Sequence, residues 1–346
     1  MQFIAGYPQM NMAHILRQLL PSRYCADSLK PEGIEFQLAG DVTDNDVKAG
    51  DAILFQGLIN ECIVGKMSNF QRKGVKIIQG LDDDFSTIPP WNYVTRDLER
   101  EFMGSFHWAK NNADWLLCTT EHLANTFPTE LIGPRVRVAP NLFECDYYLM
   151  PPRKPQKIGN TSRQIRILWA GSPTHLGDQE LLVEPIGRLI AKYRAKVCFV
   201  FFGECHSELI RRHLNQGVQA IPYMTTDKYL GQLRAIEPDI WLAPLQDIPF
   251  NWSRSQLKVL EGQAMGVPVV ASPVRTYDNV IDNGRTGFFA GSAKEWYAIL
   301  ATLIESEELR QQIGGAGQEY VTANWNWGEP NCFEPWVNFF REVAAS

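Results

Sequence analysis

The chain has 346 residues, of which 45% are hydrophobic and 21% are charged, which is the profile of a globular protein. This length exceeds what one ordinary core accommodates and predicts two domains. The formal net charge of −6 argues against a protein that wraps nucleic acid without sequence preference, although it leaves room for a local basic groove.

The cysteines and the N-terminal segment predict the environment of the protein. There are seven cysteines, an odd number, and no two form a C-x-x-C pair. Several lie within apolar runs such as WLLCTT and KVCFVFFG. We therefore expect reduced core cysteines in a cytoplasmic protein, which would be the host cytoplasm if a phage encodes it. The first residues lack the pattern of a signal peptide, and we expect no integral membrane segment.

Short apolar runs alternate with amphipathic stretches in both halves of the chain. In the first half the predicted strands are MQFIAGY, DAILFQG, VKIIQG, WLLCTT and VRVAP, with helices near 60–73 and 97–112. In the second half the predicted strands are IRILWAG, KVCFVFFG, VQAIP, DIWLAPL and VPVVAS, with helices near 178–193, 206–215, 226–236 and 255–265. This alternation predicts parallel sheets covered on both faces, hence an α/β fold with two Rossmann-like domains.

The segment MPPRKPQKIGNTSRQ, residues 150–164, has no periodicity and is rich in proline and basic residues, which is typical of an interdomain linker. We expect an N-terminal domain over 1–155, a C-terminal domain over 156–329, and a final helix at about 330–346 that packs back on the first domain. We expect the basic residues of this region to be solvated, and a role for them in polyanion binding is left open: Arg153, Lys154, Lys157, Arg163 and Arg166. In such sheets ligands bind at the carboxyl ends of the strands, so the two domains would face each other across a cleft.

Three aspartates, Asp82, Asp83 and Asp84, follow the predicted strand VKIIQG at its carboxyl end. They could cap a helix, face water, meet a substrate hydroxyl or act as a general base. We predict that at least one contacts substrate, and the sequence favours Asp83 or Asp84. A metal site is disfavoured because consecutive residues point in different directions and no His or Glu is spaced to complete a ligand shell.

Further acceptor-side candidates are Tyr7 and Asn11, in the loop after the first strand, and Trp91. The two loop residues could reach an acceptor from the end of that strand. Trp91 would form an aromatic platform for a sugar or a base, or would simply pack.

The stretch ILWAGSPTHLGDQELL predicts a strand, a turn and a helix. Gly171 ends the strand and permits a tight turn, and Ser172, Thr174 and His175 place hydrogen-bonding groups near the start of the helix. Since a helix N-terminus attracts phosphate, this turn is a candidate phosphate site. An ordinary capped strand–helix turn is equally compatible with the sequence.

The segment NWSRSQLKVLEGQAMGVPVVAS, residues 251–272, predicts a capped helix followed by a buried strand. Ser253 or Ser255 can cap this helix. Arg254 and Lys258 lie near its first turn, where cations are unfavourable unless an anion neutralises them. Glu261 follows Lys258 by one turn, and the two could equally form a weak ion pair.

These residues carry a family resemblance. The stretch LKVLEGQAMGVPVVASPVRTYDNVIDNGRTGFFA resembles the donor-site signature of GT-B glycosyltransferases, specifically the large family-four group, the glycosyl transferases group 1. VAPNLFE, ADWLLCTTEHL and ILWAGSPTH resemble other segments of that family in the same order, so the resemblance covers residues 75–290. It implies two Rossmann domains, a UDP- or GDP-linked sugar donor held mainly by the second domain, and no required metal or cofactor.

Carried over residue by residue, Glu261 would bind the donor ribose hydroxyls. Arg254 and Lys258 would neutralise the diphosphate together with the Ser172–His175 loop, and the helix N-terminus near Ser255 would add backbone donors. Stabilising the departing nucleoside diphosphate would be the main catalytic contribution.

The sequence departs from the family pattern at two positions. Ser253 stands where a second Glu is usual, and Ser172 where an arginine is usual. A phage-encoded subset of the family is similar in its S-P-T-H turn, its K-x-x-E helix and its D-D-D-x-x-x-I-P segment.

The resemblance implies a glycosyltransferase that moves a sugar to an acceptor hydroxyl, with retention of configuration as in most of the family. The aspartates would then position hydroxyl groups, whereas in an inverting reaction one of them would be the general base. The expected acceptor is a glycan or a lipid precursor, with a hydroxymethylated base of phage DNA as a second option. A nucleotide-sugar epimerase and a non-catalytic nucleotide-sugar binder stay open as alternatives.

Overall fold

The computed structural model describes residues 1–6, 15–56, 61–92, 99–127, 135–145 and 164–346. These residues form two six-stranded, wholly parallel sheets with helices packed against them. The predicted α/β fold is therefore confirmed. No helix within the described ranges is long and apolar enough to cross a bilayer.

The first sheet has the strand order β2-β1-β3-β4-β5-β6. Its strands are β1 (Gln2–Gly6), β2 (Glu35–Ala39), β3 (Ala52–Gln56), β4 (Lys76–Leu81), β5 (Trp115–Cys118) and β6 (Val136–Val138). Its helices are α1 (Leu20–Leu29), α2 (Glu61–Arg72), α3 (Glu99–Asn112) and the single turn α4 (Glu121–Ala124), with a π-helical turn at Ile15–Leu19 and 3₁₀ turns at Lys30–Glu32 and Phe85–Thr87. The three aspartates thus follow the fourth strand of the chain rather than the third, because the sequence analysis did not include β2.

The second sheet has the order β12-β11-β10-β7-β8-β9. Its strands are β7 (Ile165–Gly171), β8 (Val197–Gly203), β9 (Val218–Pro222), β10 (Ile240–Ala243), β11 (Val269–Ala271) and β12 (Phe288–Phe289). The helices of this half are α5 (Glu180–Tyr193), α6 (Ser207–His213), α7 (Thr226–Ile236), the single turn α8 (Pro249–Trp252), α9 (Leu257–Ala264), α10 (Ala293–Glu305), α11 (Glu307–Asn324) and α12 (Pro330–Ala345). Short 3₁₀ turns lie at Pro173–His175, Gly177–Gln179, Arg194–Lys196 and Arg275–Tyr277.

The strand order reverses once in each sheet, next to β1 in the first and next to β7 in the second. Helices that leave neighbouring strands at such a point go to opposite faces of the sheet, so a crevice opens at the carboxyl ends of the strands. Both halves therefore offer a ligand-binding edge.

Alternate residues of the central strands pack on opposite faces of each sheet, because side chains along a strand alternate in direction. On β3, Ile53 joins Met67 and Phe70 of α2, whereas its neighbour Leu54 joins the core of the other face. Such two-sided burial produces the continuous apolar runs from which these strands were predicted.

The last helix, α12, packs against the first sheet. Trp336 donates from Nε1 to the backbone oxygen of Pro140 at 3.0 Å, and Phe340 meets the ring of Phe3 edge-on at 4.9 Å. Arg341 pairs with Glu32 at 2.7 Å. The boundaries of the two domains stay a prediction, since the linker falls almost wholly outside the described residues.

Candidate active site

A cavity of ≈ 370 Å³ lies between the two halves, and both halves line it. The first half contributes Leu16, Asp82, Asp83, Asn141 and Phe143. The second half contributes the ends of β7, β8 and β9 together with the start of α9. All eight residues predicted to bind the donor line this cavity: Gly171, Ser172, Thr174, His175, Arg254, Ser255, Lys258 and Glu261.

Two glycines shape the floor of the cavity where β7 and β8 end. A side chain at Gly203, whose φ is +112°, would collide with the backbone oxygen of Gly171. A Cβ at Gly171 would lie 2.8 Å from Nζ of Lys258 and 2.9 Å from the Trp169 ring. The two strand ends can approach each other and the lysine only because both positions lack a side chain.

Arg254 is the most highly connected residue of the site. Its Nη2 donates to Oγ1 of Thr174 at 3.3 Å, and its Nη1 contacts the His175 ring. The guanidinium carbon lies 4.8 Å from the centre of the Phe250 ring. Its Nε lies 3.5 Å from Oδ1 of Asp83, so that this ion pair joins the two walls of the cavity.

Lys258 and Glu261 share one face of α9. Lys258 donates to the backbone oxygen of Ala170 and lies 4.8 Å above the Trp169 ring. Glu261 accepts a hydrogen bond from the Tyr229 hydroxyl at 2.9 Å. Burial lowers the pKa of Lys258 to about 8 and raises that of Glu261 to about 7, while attraction between the two opposes both shifts. The site therefore holds two charges that its own surroundings only partly stabilise.

The turn after β7 is ordered by its own side chains. The hydroxyls of Ser172 and Thr174 lie 2.7 Å apart, and Nδ1 of His175 lies 2.8 Å from a carboxylate oxygen of Asp178. Burial and the two nearby cations hold the pKa of His175 well below its ordinary value, so the ring is neutral. The sequence analysis did not single out Asp178.

The three aspartates take different positions. Asp82 and Asp83 line the cavity. Gln56 donates to Asp82, whose pKa is raised to about 6 by burial and by Asp83. Asp84 instead caps a 3₁₀ turn, accepting from the backbone N–H of Ser86 at 2.9 Å. The capping role that the sequence left open is the one seen for Asp84, while the other two carboxylates face the cavity.

A buried arginine, Arg17, lies close enough to Asp82 for their charges to interact. It donates to the backbone oxygens of Ala139 and of Leu117, the latter at 3.1 Å, and lies 4.6 Å above the Trp336 ring. Burial lowers its pKa to about 10, while the charge of Asp82 opposes that shift. Arg17 thus ties the ends of β5 and β6 to α12, and the sequence pattern did not reveal it.

The three further acceptor-side candidates do not line the cavity among the described residues. Trp91 packs against Gly177 and donates to Oε1 of Gln246 at 3.2 Å, so it joins the two halves beside the cavity instead of lining it. Tyr7 and Asn11 lie outside the described residues.

The helix after Arg254 begins later than predicted, at Leu257, and Ser255 does not cap it. Ser255 instead accepts a hydrogen bond from the side chain of Asn141 at 3.1 Å. Ser253, at the position of the usual second Glu, is fully buried, and its backbone oxygen accepts from Thr120 of the first half at 3.1 Å. In this chain that position therefore joins the two halves.

Among the described residues, no group of three or more His, Cys, Asp or Glu side chains is placed to hold a metal ion. The cations that face the cavity are Arg254 and Lys258. Tyr223, which is 68% exposed, and Met224 also line the cavity, directly after the end of β9.

Residues 164–306 match the family model described as Glycosyl transferases group 1. No curated protein matches the sequence significantly. Among solved structures, TarM is similar at 14% identity with a TM-score of 0.60, covering 91% of this chain and 57% of the TarM chain.

Two further structures match over nearly their whole length. The complex of Anabaena Alr3699/HepE with UDP-glucose has 14% identity and a TM-score of 0.62, covering 100% of this chain and 98% of HepE. Sucrose-phosphate synthase from Thermosynechococcus elongatus has 12% identity and a TM-score of 0.64, covering all of both chains. At such identities the structures establish the fold alone.

These matches confirm the predicted GT-B fold, and they confirm the resemblance to group 1 glycosyltransferases over residues 164–306. The chain spans little more than half of TarM, so its own reaction and substrates are matters of proposal. The phage-encoded subset stays a prediction.

Proposed function

We propose that this chain, with the fold and the donor-side domain of a group 1 glycosyltransferase, transfers a sugar from a nucleotide-diphosphate donor to an acceptor hydroxyl. The observation that carries the proposal is the convergence of Arg254, Lys258 and Glu261 on the turn that follows β7. Burial disfavours the charged forms of Lys258 and Glu261. A diphosphate beside the cations and ribose hydroxyls beside the carboxylate would restore the stabilisation that burial removes.

The diphosphate would lie against Arg254 and Lys258, with the hydroxyls of Ser172 and Thr174 as further donors. As the bond to the sugar breaks, negative charge grows on the departing nucleoside diphosphate. Fixed cations in a site that excludes water stabilise such charge strongly. We infer that these two side chains supply the positive charge and that no metal is required.

Glu261 would hold the ribose. One of its oxygens accepts from Tyr229, which leaves the other to accept from the ribose hydroxyls. Hydrogen bonds to an ionised carboxylate are about twice as strong as those between neutral groups. Tyr229 thereby fixes the direction in which Glu261 faces the donor.

A uridine donor is the one we propose. Solved structures similar to this chain contain UDP and UDP-glucose. At the mouth of the cavity Tyr223 offers an exposed aromatic face at the end of β9, next to Met224, on which a base can stack. A guanosine donor is the alternative that the experiment below distinguishes.

On the acceptor side we assign the main role to Asp83. Its carboxylate lies 3.5 Å from Arg254 and hence close to where the diphosphate would leave the sugar. We infer transfer with retention of configuration, in which Asp83 orients a hydroxyl of the acceptor or of the sugar. Asp82 lines the cavity on the same side as Asp83.

The proposed acceptor is a hydroxyl of a glycan or a lipid precursor. Two aspartates on the acceptor wall and a net charge of −6 would repel a DNA backbone, which disfavours a hydroxymethylated base of DNA. Six cysteines are unpaired in the structure, which supports the cytoplasm as the place of action: Cys25, Cys118, Cys145, Cys198, Cys205 and Cys332.

A screen of UDP- and GDP-linked sugars tests the proposal. We expect one donor to release its nucleoside diphosphate slowly with water and faster with an acceptor. Conversion of a donor to its epimer would identify an epimerase. Donor binding without release across a panel of glycan, lipid and hydroxymethylated DNA acceptors would identify a non-catalytic binder, and either result would overturn the proposal.

A further inference from the structure

A chain of hydrogen bonds runs from the interior of the second half to Arg254. Asp178 is completely buried, and its Oδ1 accepts from the backbone N–H of Gln246 at 2.8 Å and from Nδ2 of Asn251 at 2.9 Å. Its Oδ2 lies 2.8 Å from Nδ1 of His175. Nη1 of Arg254 contacts the same ring and lies nearer to Nε2, at 2.5 Å, than to Nδ1, at 3.0 Å.

The groups that surround Asp178 decide where the protons lie in this series of hydrogen bonds. Both groups that face Oδ1 of Asp178 are donors, and although burial raises the pKa of this carboxyl to about 6, it is ionised at neutral pH. An ionised carboxylate only accepts, so Nδ1 of His175 carries the proton. The ring is neutral, since its pKa lies well below the ordinary value. Nε2 therefore has a free lone pair.

The group nearest to that lone pair is an arginine, which only donates. Nη1 of Arg254 lies 2.5 Å from Nε2 of His175, and Nη2 donates to Thr174. The remaining nitrogen, Nε, is buried and makes no hydrogen bond among the described residues, but it lies 3.5 Å from Oδ1 of Asp83. Two contacts from the turn after β7 thus fix the plane of the guanidinium inside the cavity.

We propose that Asp178 and His175 are positioning residues: Asp178 sets the tautomer of His175, and His175 in that tautomer holds Arg254 in the orientation that meets the donor diphosphate. The last step rests on the proposed function. Asp178 is not among the residues that line the cavity, so its effect on a ligand is transmitted through His175.

Asp178→Asn keeps the shape of the side chain but replaces one acceptor oxygen with a donor NH₂ group. Its oxygen must still accept from Gln246 and Asn251, so its NH₂ faces Nδ1 of His175. The ring then has to accept at Nδ1 and carry its proton on Nε2, where it opposes an N–H of Arg254. We expect UDP or GDP, whichever the wild type binds, to bind at least about tenfold more weakly, which is the scale of one hydrogen bond to a charged group. Glu184→Gln, an exposed site on α5, is the matched control and should leave affinity unchanged.

Two substitutions of His175 separate positioning from a purely structural role. Glutamine can place its amide oxygen near the position of Nε2 and orient it freely, whereas asparagine reaches only the position of Nδ1. We expect His175→Gln to bind the nucleotide more tightly than His175→Asn. In the His175→Gln background Asp178→Asn should cost less than about threefold, since no tautomer remains to be set.

A second readout needs no ligand. In ¹⁵N spectra of the free protein at neutral pH, we expect His175 to be protonated at Nδ1, and Asp178→Asn to move the proton to Nε2. An Nε2 proton in the wild type overturns the proposal, as does an unchanged affinity in Asp178→Asn or an undiminished effect of that substitution in the glutamine background. A wild type that binds neither UDP nor GDP contradicts the proposed function instead, and the spectra still decide the tautomer.

Discussion

At the scale of single residues, the predicted donor-side groups converge, whereas the groups that support them had no signal in the sequence. Lys258 and Glu261 could be picked out because a family pattern runs through them. Asp178 and Arg17 are completely or almost completely buried, and apart from His175 the groups that bond to their side chains lie far away along the chain. Only tertiary contacts decide whether such a polar residue is buried and paired, so spacing alone does not reveal it.

The affinity for a nucleotide sugar should depend on pH through Lys258 and Glu261. The pKa of Lys258 lies near 8, and a bound diphosphate raises it, so binding takes up a proton and weakens as the pH rises through 8. The pKa of Glu261 lies near 7, and its ionised form is the better acceptor for ribose hydroxyls, so binding strengthens as the pH rises towards 7. Calorimetry should find the tightest binding between these two values.

Lys258→Arg is the control for the alkaline side of that profile. An arginine keeps its charge throughout this range, so the decline above pH 8 should disappear even if the affinity is lower overall. A variant that shows the same decline as the wild type would show that Lys258 does not cause it.

At the scale of elements, the strands with continuous apolar sequence were predictable and those without it were not. β2 is an edge strand with exposed residues at Glu35 and Leu38, and β12 comprises only Phe288 and Phe289. Neither strand contains a run of buried apolar residues long enough to be recognised as a strand from the sequence. The start of α9 was predicted two residues too early, because Ser255 bonds across the cavity to Asn141 and does not cap the helix.

The contact of α12 with the first sheet predicts a stability effect. Trp336 is fully buried, donates to Pro140 and lies under Arg17. Trp336→Ala should lower the free energy of unfolding by about 3–5 kcal/mol, from the cavity that it leaves. Urea unfolding followed by circular dichroism measures this loss. Asn338→Ala, an exposed position of the same helix, should cost little, and equal losses in both variants would contradict the packing described.

At the scale of the whole molecule, polar contacts around the cavity join the two halves in addition to the apolar packing of α12 on the first sheet. Thr120 and Trp91 of the first half bond to the second half at 3.1 Å and 3.2 Å, and Asp83 pairs with Arg254 at 3.5 Å. Because these contacts surround the proposed donor site, binding of the donor is physically linked to the relative placement of the two walls.

Asp83 and Asp84 provide a test of that arrangement. Asp83→Asn should retain donor binding, since its pairing with Arg254 competes with the diphosphate, but should lower the rate of transfer to an acceptor by about tenfold or more. Asp84→Asn should mainly reduce stability, by about 0.5–2 kcal/mol, as expected for a weakened cap. Steady-state transfer assays alongside thermal unfolding distinguish the two. Loss of donor binding in Asp83→Asn would contradict the acceptor-side role.

The central claim is that the cavity holds a nucleotide-sugar donor with its ribose on Glu261. The most direct measurement is nucleoside diphosphate release from the active donor by wild type, Glu261→Ala and, as an exposed control on α11, Glu308→Ala. Removing hydrogen bonds to two ribose hydroxyls should lower kcat/KM by about a hundredfold or more in Glu261→Ala, with the thermal unfolding midpoint retained. Glu308→Ala should match the wild type. Undiminished release by a folded Glu261→Ala variant would contradict the claim.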